Sequence, residues 1–267
     1  MSILRAKKTL GQHFLKSKSI LEKIVAAGKV TPEDTALEIG PGEGNLTQKI
    51  LEKVGKVIAV EKDDRLIPYL REKFTTDLST GRLSLVHADI LNFNPVDYKL
   101  KAKSYKLIAN LPYYITGKFL RKFLTADQKP SLAVLMLQKE VAERIVARNG
   151  KESILSLSVK AFGEPKLVAV VSKRYFSPQP KVDSAILLID RISNKIPKES
   201  EDVFFKLVKV GFSSKRKKLF NNILPLTKDK ETLARAFQTC EIEENSRAEN
   251  LSLETWMCLT QELSSIV

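Results

Sequence analysis

Four consecutive residues, Asn110-Leu111-Pro112-Tyr113, combine groups suited to holding an amine on a flat ring. An exocyclic amine on a purine is a poor nucleophile, because its lone pair is delocalised into the ring. The Asn110 side-chain oxygen and the carbonyl of Leu111 or Pro112 can accept both of its N–H bonds. That arrangement favours a pyramidal nitrogen whose lone pair can attack. Proline offers an acceptor with no competing donor and fixes φ, and Tyr113 offers a face for stacking the base. Attack on an already activated electrophile depends on positioning more than on a strong base. Taken alone, the tetrapeptide also reads as a turn with a buried tyrosine. Phe176 begins a proline-stiffened segment, Phe176-Ser-Pro-Gln-Pro180, and is either a second stacking ring or a core aromatic beside a turn.

The electrophile needs its own site, and Glu38-Ile-Gly40-Pro-Gly42-Glu-Gly44 describes one. Glycine at alternate positions lets the chain turn sharply and a ligand approach the backbone. A dinucleotide fingerprint would require glycine at position 45, where this chain has Asn45. A turn without a diphosphate to hold suits the methionine, ribose and adenine of S-adenosylmethionine. Glu61 falls 21 residues after Gly40, where a carboxylate can accept hydrogen bonds from both ribose hydroxyls. Asp89 can accept one from the cofactor's adenine amine. A solvated carboxylate and a turn cap are their respective alternatives. Glu38 lies in an apolar run, and a buried carboxylate needs partners, which the cofactor's ammonium or backbone amides can supply. The two segments together point to methyl transfer onto an adenine N6.

The elements that must position these residues alternate. Strands are expected at 36–39, 57–60, 83–86, 106–109 and 132–137, with helices at 45–54, 64–74 and 139–148, and Asp63 or Asp64 as the cap of the second helix. Runs at 167–171 and 185–189 close the sheet as a hairpin-like pair. Alternation of this kind predicts an α/β fold with a mostly parallel sheet covered on both faces. Gly40, Glu61, Asp89 and Asn110 then all fall at carboxyl ends of strands, where such sheets bind ligands. The segment 193–200 reads as a linker, and helical patterns follow at 203–212, 217–224, 230–237 and 253–263. The domains expected are 1–192, a methyltransferase domain with a basic N-terminal arm, and 193–267, a small all-helical RNA- or ribosome-binding domain.

Of 267 residues, 45 are basic and 31 acidic, a net charge of +14. Such an excess suits a polyanion partner. Arg5 to Lys29 holds seven Lys/Arg and one acid, Glu22; Lys99 to Lys122 holds seven and Lys206 to Lys218 six, with no acid in either. Three basic runs flanking the candidate motifs favour nucleic acid over a small-molecule substrate. Lys7, Lys8, Lys118, Arg121, Lys122 and the cluster Lys215-Arg216-Lys217-Lys218 are the candidate phosphate contacts; a solvated helix face is the other reading of that cluster. No apolar run approaches the roughly 20 residues of a membrane span, and no secretory address is apparent. Cys240 and Cys258 lack metal-ligand neighbours, so no metal is expected. Reduced thiols, a cytoplasmic setting and a monomer are the expectations.

At these residues the chain resembles the ribosomal RNA adenine dimethyltransferases of the KsgA/Dim/Erm type. Lys8-Thr-Leu-Gly-Gln-His-Phe-Leu15 resembles that family's N-terminal cofactor motif, which implies cofactor contacts at His13 and Leu15. Leu37 to Thr47 resembles its glycine motif, Glu61 and Asp89 fall where ribose and adenine contacts belong, and Asn110–Tyr113 matches its amine-binding motif, with Phe176–Ser184 resembling its second stacking loop. The implied fold is a Rossmann-like, seven-stranded class I methyltransferase with a helical C-terminal domain. Asn110-Leu-Pro-Tyr-Tyr-Ile-Thr116 and Gly211–Asn222, similar to a basic helix opening that domain, favour the small-subunit branch. That branch dimethylates two adjacent adenines in a hairpin near the 3′ end of small-subunit (16S) rRNA on an assembling particle. A target within RNA structure has to be turned out into the pocket. His13 stands where an Asn is common, and Lys218 and Phe220 replace the usual Thr and Arg. A large-subunit methyltransferase of the macrolide-resistance type and a non-catalytic rRNA-binding assembly factor are the alternatives.

Overall fold

The structure, a computed structural model, describes residues 6, 7, 10–227, 229–264 and 266. In chain order, Phe14–Leu15 (β1) is followed by Lys18–Ala27 (α1), Thr35–Ile39 (β2), Asn45–Leu51 (α2), Lys56–Glu61 (β3), Leu66–Lys73 (α3), Thr75–Ser79 (α4) and Leu83–His87 (β4). Then come Tyr105–Asn110 (β5), Thr116–Thr125 (α5), Leu132–Gln138 (β6), Lys139–Ile145 (α6), Ile154–Lys160 (α7), Glu164–Val171 (β7), Phe176–Ser177 (β8) and Ser184–Asp190 (β9). Helices Glu201–Gly211 (α8), Leu219–Thr227 (α9), Lys230–Thr239 (α10) and Leu253–Leu263 (α11) complete the chain.

Seven strands form one sheet in the order β4-β3-β2-β5-β6-β9-β7. Strands β4, β3, β2, β5 and β6 pair in parallel, whereas β9 runs antiparallel to both β6 and β7. Only β9 is therefore reversed, and the expected hairpin-like pair is β7 with β9. This is the seven-stranded class I methyltransferase architecture expected of the sequence. Burial on both faces explains why the central strands read as unbroken apolar runs: Ala36, Leu37, Val134 and Leu135 are fully enclosed. The chain enters β2 and leaves to β3 on one side, then returns through β5 on the other. That switch opens a crevice above the carboxyl ends of β2 and β5.

Several features differ from the sequence reading around this sheet, among them the helix Thr116–Thr125 and the β1–β8 pair, neither of which was expected. Residues 18–27, within the basic N-terminal arm, form a helix to which the sequence reading gave no conformation, because Ile20, Leu21, Ile24 and Val25 share one buried face. The helix expected at 64–74 begins at Leu66 without a side-chain cap; the Asp63 carboxylate is bound to Arg65 and Gln12 instead.

The described residues of Met1–Ala142 and Glu164–Ile192 form one compact unit, and those of Glu143–Gly163 and Ser193–Val267 a second. The second unit thus takes in 143–163, including α7, whose start is held by a Ser153–Ser156 capping box. Its core is built on Trp256, Phe204, Leu207, Leu219, Leu233 and Leu259, all essentially inaccessible. Cys240, at the end of α10, and Cys258, on α11, are joined in a disulfide. The expectation of reduced thiols is corrected here, since packing α10 against α11 brings together two cysteines that are 18 residues apart in sequence.

Candidate active site

The carboxyl ends of four parallel strands border one cleft, about 1110 Å³ with its open mouth included. The glycine turn Gly40–Gly42 follows β2, Glu61 ends β3, Asp89 follows β4, and Asn110 ends β5, leading into Leu111–Tyr113. The segment Leu10–Leu15 and Phe176 close the remaining side. His13, Leu15, Gly40, Gly42, Glu61, Asp89 and Asn110 all line this space, with Leu111, Pro112, Tyr113 and Phe176. Glu38 does not: it is fully buried behind the turn.

Sterics dictate the turn. Gly40, Gly42 and Gly44 have φ of +67°, +58° and +75°. A Cβ on Gly42 would lie 2.9 Å from the Phe14 ring, and one on Gly44 2.5 Å from that of Phe74. The turn is thus pressed between a ring from β1 and a ring at the end of α3, and its cleft side stays free of side chains. The Gly42 N–H donates to Glu61 Oε2 at 3.1 Å, while the Lys62 and Asp63 amides donate to Oε1, each at 2.8 Å. Burial pushes the Glu61 carboxyl up; these amides hold it back, and the Asp63 charge adds to the rise.

Asp89 accepts from Lys62 Nζ at 2.8 Å and from the Leu91 amide at 2.9 Å. Partial burial alone would raise its carboxyl, but the Lys62 ammonium and that amide outweigh it and lower it. Both Asp89 oxygens thus already have donors, as the turn-cap alternative requires, yet the residue still borders the cleft. Among the described residues neither oxygen of Glu38 has a hydrogen-bond partner. Burial pushes this carboxyl up to about 8; the nearby Thr47 hydroxyl and Lys73 pull it down, and the Glu61 charge adds to the rise.

The amine side is assembled by the N-terminal segment. The His13 backbone carbonyl accepts from Asn110 Nδ2 at 3.2 Å, which assigns the nitrogen of that amide and leaves Oδ1 as its acceptor. The His13 ring donates through Nδ1 to the Pro178 carbonyl at 2.7 Å and stacks 6.2 Å from Tyr113. Tyr113 is fixed at its far end by a 2.8 Å hydrogen bond with Ser184 Oγ, and burial raises its phenol. Phe176 is buried and packs within the main core cluster while presenting part of its surface to the cleft. Pairing of β1 with β8, Leu15 opposite Phe176, ties the N-terminal segment to the proline loop.

That pairing has no local sequence signature, nor does the network beside it. Gln12 Nε2 donates to Asp63 Oδ2 at 2.7 Å and Gln12 Oε1 accepts from the Lys7 amide at 2.8 Å. The Arg65 guanidinium bonds the same carboxylate at 2.6 Å and holds it well below the usual carboxylate range. Val60, Lys62 and Ile90 also line the cleft from outside every quoted motif, and Gln12, Ile39 and Leu46 line it from inside motifs in which they were not singled out. Most of them flank motif residues by one or two positions, which is the signal that could have found them.

The candidate phosphate contacts divide. Lys7 is engaged with Asp63 and Asp64 at 3.6 and 3.5 Å, and Lys8 lies outside the described residues. Lys118 and Arg121 are exposed on α5, whose opposite face buries Phe119, Leu120, Phe123 and Leu124; Lys122 bonds the Leu91 carbonyl. Lys215, Arg216, Lys217 and Lys218 are exposed, but in the turn between α8 and α9 and not on a helix as the sequence suggested. Asn222 pins that turn by donating to the Gly211 and Ser214 carbonyls at 2.6 and 3.1 Å. Lys218 faces Glu244 at 3.3 Å, and Phe220 packs edge-on against Phe237.

With this geometry in view, comparison with known proteins is specific. A family model described as ribosomal RNA adenine dimethylase matches residues 3–265. A ribosomal RNA small subunit methyltransferase A of Dehalococcoides mccartyi is 45% identical over 258 residues, covering 96% of this chain and 88% of the relative. Among solved structures, a dimethyladenosine transferase from Plasmodium falciparum superposes with a TM-score of 0.78 at 30% identity, over 95% of this chain and 98% of the other. The 23S rRNA methyltransferase ErmE has the same TM-score at 25% identity, covering 94% and 99%.

Proposed function

The chain belongs to the ribosomal RNA adenine dimethylase family, and from that premise we propose that it transfers methyl groups from S-adenosylmethionine to the N6 amines of two adjacent adenines. The substrate is a 3′-terminal hairpin of small-subunit rRNA on an assembling particle, met in the cytoplasm by a monomer. The observation that carries this reading is Asn110 at the end of β5, its amide nitrogen held by His13 and its oxygen left to accept, beside the fixed ring of Tyr113. The identity of 45% with a relative named for the small subunit favours that substrate over large-subunit RNA.

The cleft fits the cofactor on its own chemistry. Three positive-φ glycines offer a backbone wall without side chains, Glu61 and Asp89 offer acceptors, and Ile39, Leu46, Val60 and Ile90 offer apolar surface for a purine. Glu61 would hold the ribose and Asp89 the adenine amine, with Leu15 and the Gly40–Gly42 backbone against the remainder. When bound, S-adenosylmethionine supplies an electrophilic methyl group activated by its sulfonium. The chain's own residues do the rest. Asn110 Oδ1 and the Leu111 or Pro112 carbonyl accept the two N–H bonds of the target amine. Tyr113 and Phe176 bracket the base, and the apolar walls exclude water. His13 acts here through position: its carbonyl orients Asn110 and its ring orients the loop that carries Phe176.

The test is transfer of labelled methyl groups to unmethylated small-subunit particles, with large-subunit RNA as comparator, followed by nucleoside analysis. N6,N6-dimethyladenosine confined to the small subunit is expected. Label on large-subunit RNA would move the chain to the resistance type, and RNA binding without label would leave a non-catalytic assembly factor.

A further inference from the structure

Tyr113 and Tyr114 are neighbours in sequence with opposite environments. Tyr113 is half-buried and hydrogen-bonded to Ser184. Tyr114 lines the same cleft but is 60% exposed at its rim. One edge of its ring rests on the N-terminal segment: a Cβ on Gly11 would lie 3.5 Å from both Cδ1 and Cε1 of Tyr114. Gly11 has φ of +61°, which favours glycine, so the support carries no side chain. The ring is propped without being covered.

Its surroundings are cationic. The Lys62 ammonium, held by Asp89 at 2.8 Å, borders the same cleft as Tyr114. Lys118 and Arg121 follow, exposed, on α5. An aromatic face among cations is the usual device for holding a single-stranded nucleic acid: the ring takes a base by stacking and the cations take its phosphates. Tyr114 directly follows the residue that borders the amine site. Tyr114 at the exposed rim is thus placed where a strand that has delivered one base to Tyr113 can meet it.

We propose that Tyr114 is a stacking platform for the nucleobase adjoining the target adenine in the same RNA strand. The proposal deepens the reading given under Proposed function and rests on it. It gives the cleft two base sites, an interior one for the adenine being modified and a rim one for its neighbour. The rim site selects for an unpaired, stackable neighbour and not for its hydrogen-bonding edge.

The test uses the full chain and an RNA hairpin with one unpaired adenine, whose flanking nucleotides are either intact or abasic. On intact RNA, Tyr114→Ala is expected to lose about 5- to 150-fold in affinity, the range for removing one base-stacking ring, while Tyr114→Trp stays near wild type. On abasic RNA the wild type is expected to fall to the level of Tyr114→Ala, with no further loss in the variant. The KM for S-adenosylmethionine should not move. Equal loss by Tyr114→Ala on both RNAs, or a raised KM for S-adenosylmethionine, would make the ring a prop for the N-terminal segment and overturn the proposal. Equal affinity of the wild type for both RNAs would overturn it as well. Failure of the parent reading appears separately, as a wild type that transfers no methyl group to small-subunit particles.

Discussion

At the scale of single residues, the amine site depends on one orientation. Asn110 is useful only if its oxygen faces the target, and the His13 carbonyl enforces that by engaging the nitrogen. Asn110→Ala is expected to lower kcat by at least about 10²-fold, as loss of a positioned hydrogen-bonding group at a reacting centre does, while RNA affinity stays nearly unchanged. A filter-binding assay beside single-turnover transfer checks both, and a large loss of affinity would remove Asn110 from the role given to it. Glu38 makes a different prediction. Burial raises its carboxyl from 4.5 to about 8. Below pH 4.5 it is neutral folded or unfolded; as pH rises, the unfolded chain ionises first, so stability falls progressively until about pH 8. Glu38→Gln should flatten that decline in a plot of Tm against pH. A variant that follows the wild-type curve in parallel would assign the decline to other groups.

At the scale of elements, the glycine turn and α5 show how similar residues carry opposite constraints. Gly44 combines φ of +75° with a Cβ position 2.5 Å from the Phe74 ring, so Gly44→Ala should cost roughly 2–4 kcal/mol through strain and overpacking. Gly117 lies in α5 with nothing within 4 Å of its Cβ position. Gly117→Ala should therefore stabilise by about 0.5–1 kcal/mol through helix propensity. Denaturant melts of both variants test the pair, and a shift of the same sign in both would contradict the geometry. The strands were legible because central parallel strands are apolar on both faces, as in Leu132–Gln138. Helix α1 was passed over because its stretch was read for charge as part of a basic arm, although Ile20, Leu21, Ile24 and Val25 fall at helical spacing with Glu22 and Lys23 on the exposed side.

At the scale of the whole molecule, the charge of +14 is the relevant quantity. Exposed Lys215, Arg216 and Lys217 are displayed by a turn that Asn222 holds in place. Reversing these three charges should weaken rRNA binding and reduce the slope of log affinity against log salt by about 2 to 3, near one per lost phosphate contact. Binding titrations across a salt series read the slope directly, and an unchanged slope would make the turn a bystander. Lys218, opposite Glu244, and Phe220, packed on Phe237, belong to the internal order of the helical unit.

The sequence by itself determined the α/β alternation, the glycine turn, the family and the strand-end residues. Each of these depends on local chemistry: apolar runs make strands, and residues just past a strand's carboxyl end face the crevice of a parallel sheet. Tertiary structure alone decided the rest. The pairing of Leu15 with Phe176, the Gln12–Asp63 contact, the His13 hold on Asn110 and the Cys240–Cys258 bond join residues 18 to 161 positions apart. No periodicity encodes such contacts. The first three follow from the order in which strands are laid into the sheet and from which loops that order brings to one end, and the disulfide from the packing of α10 against α11.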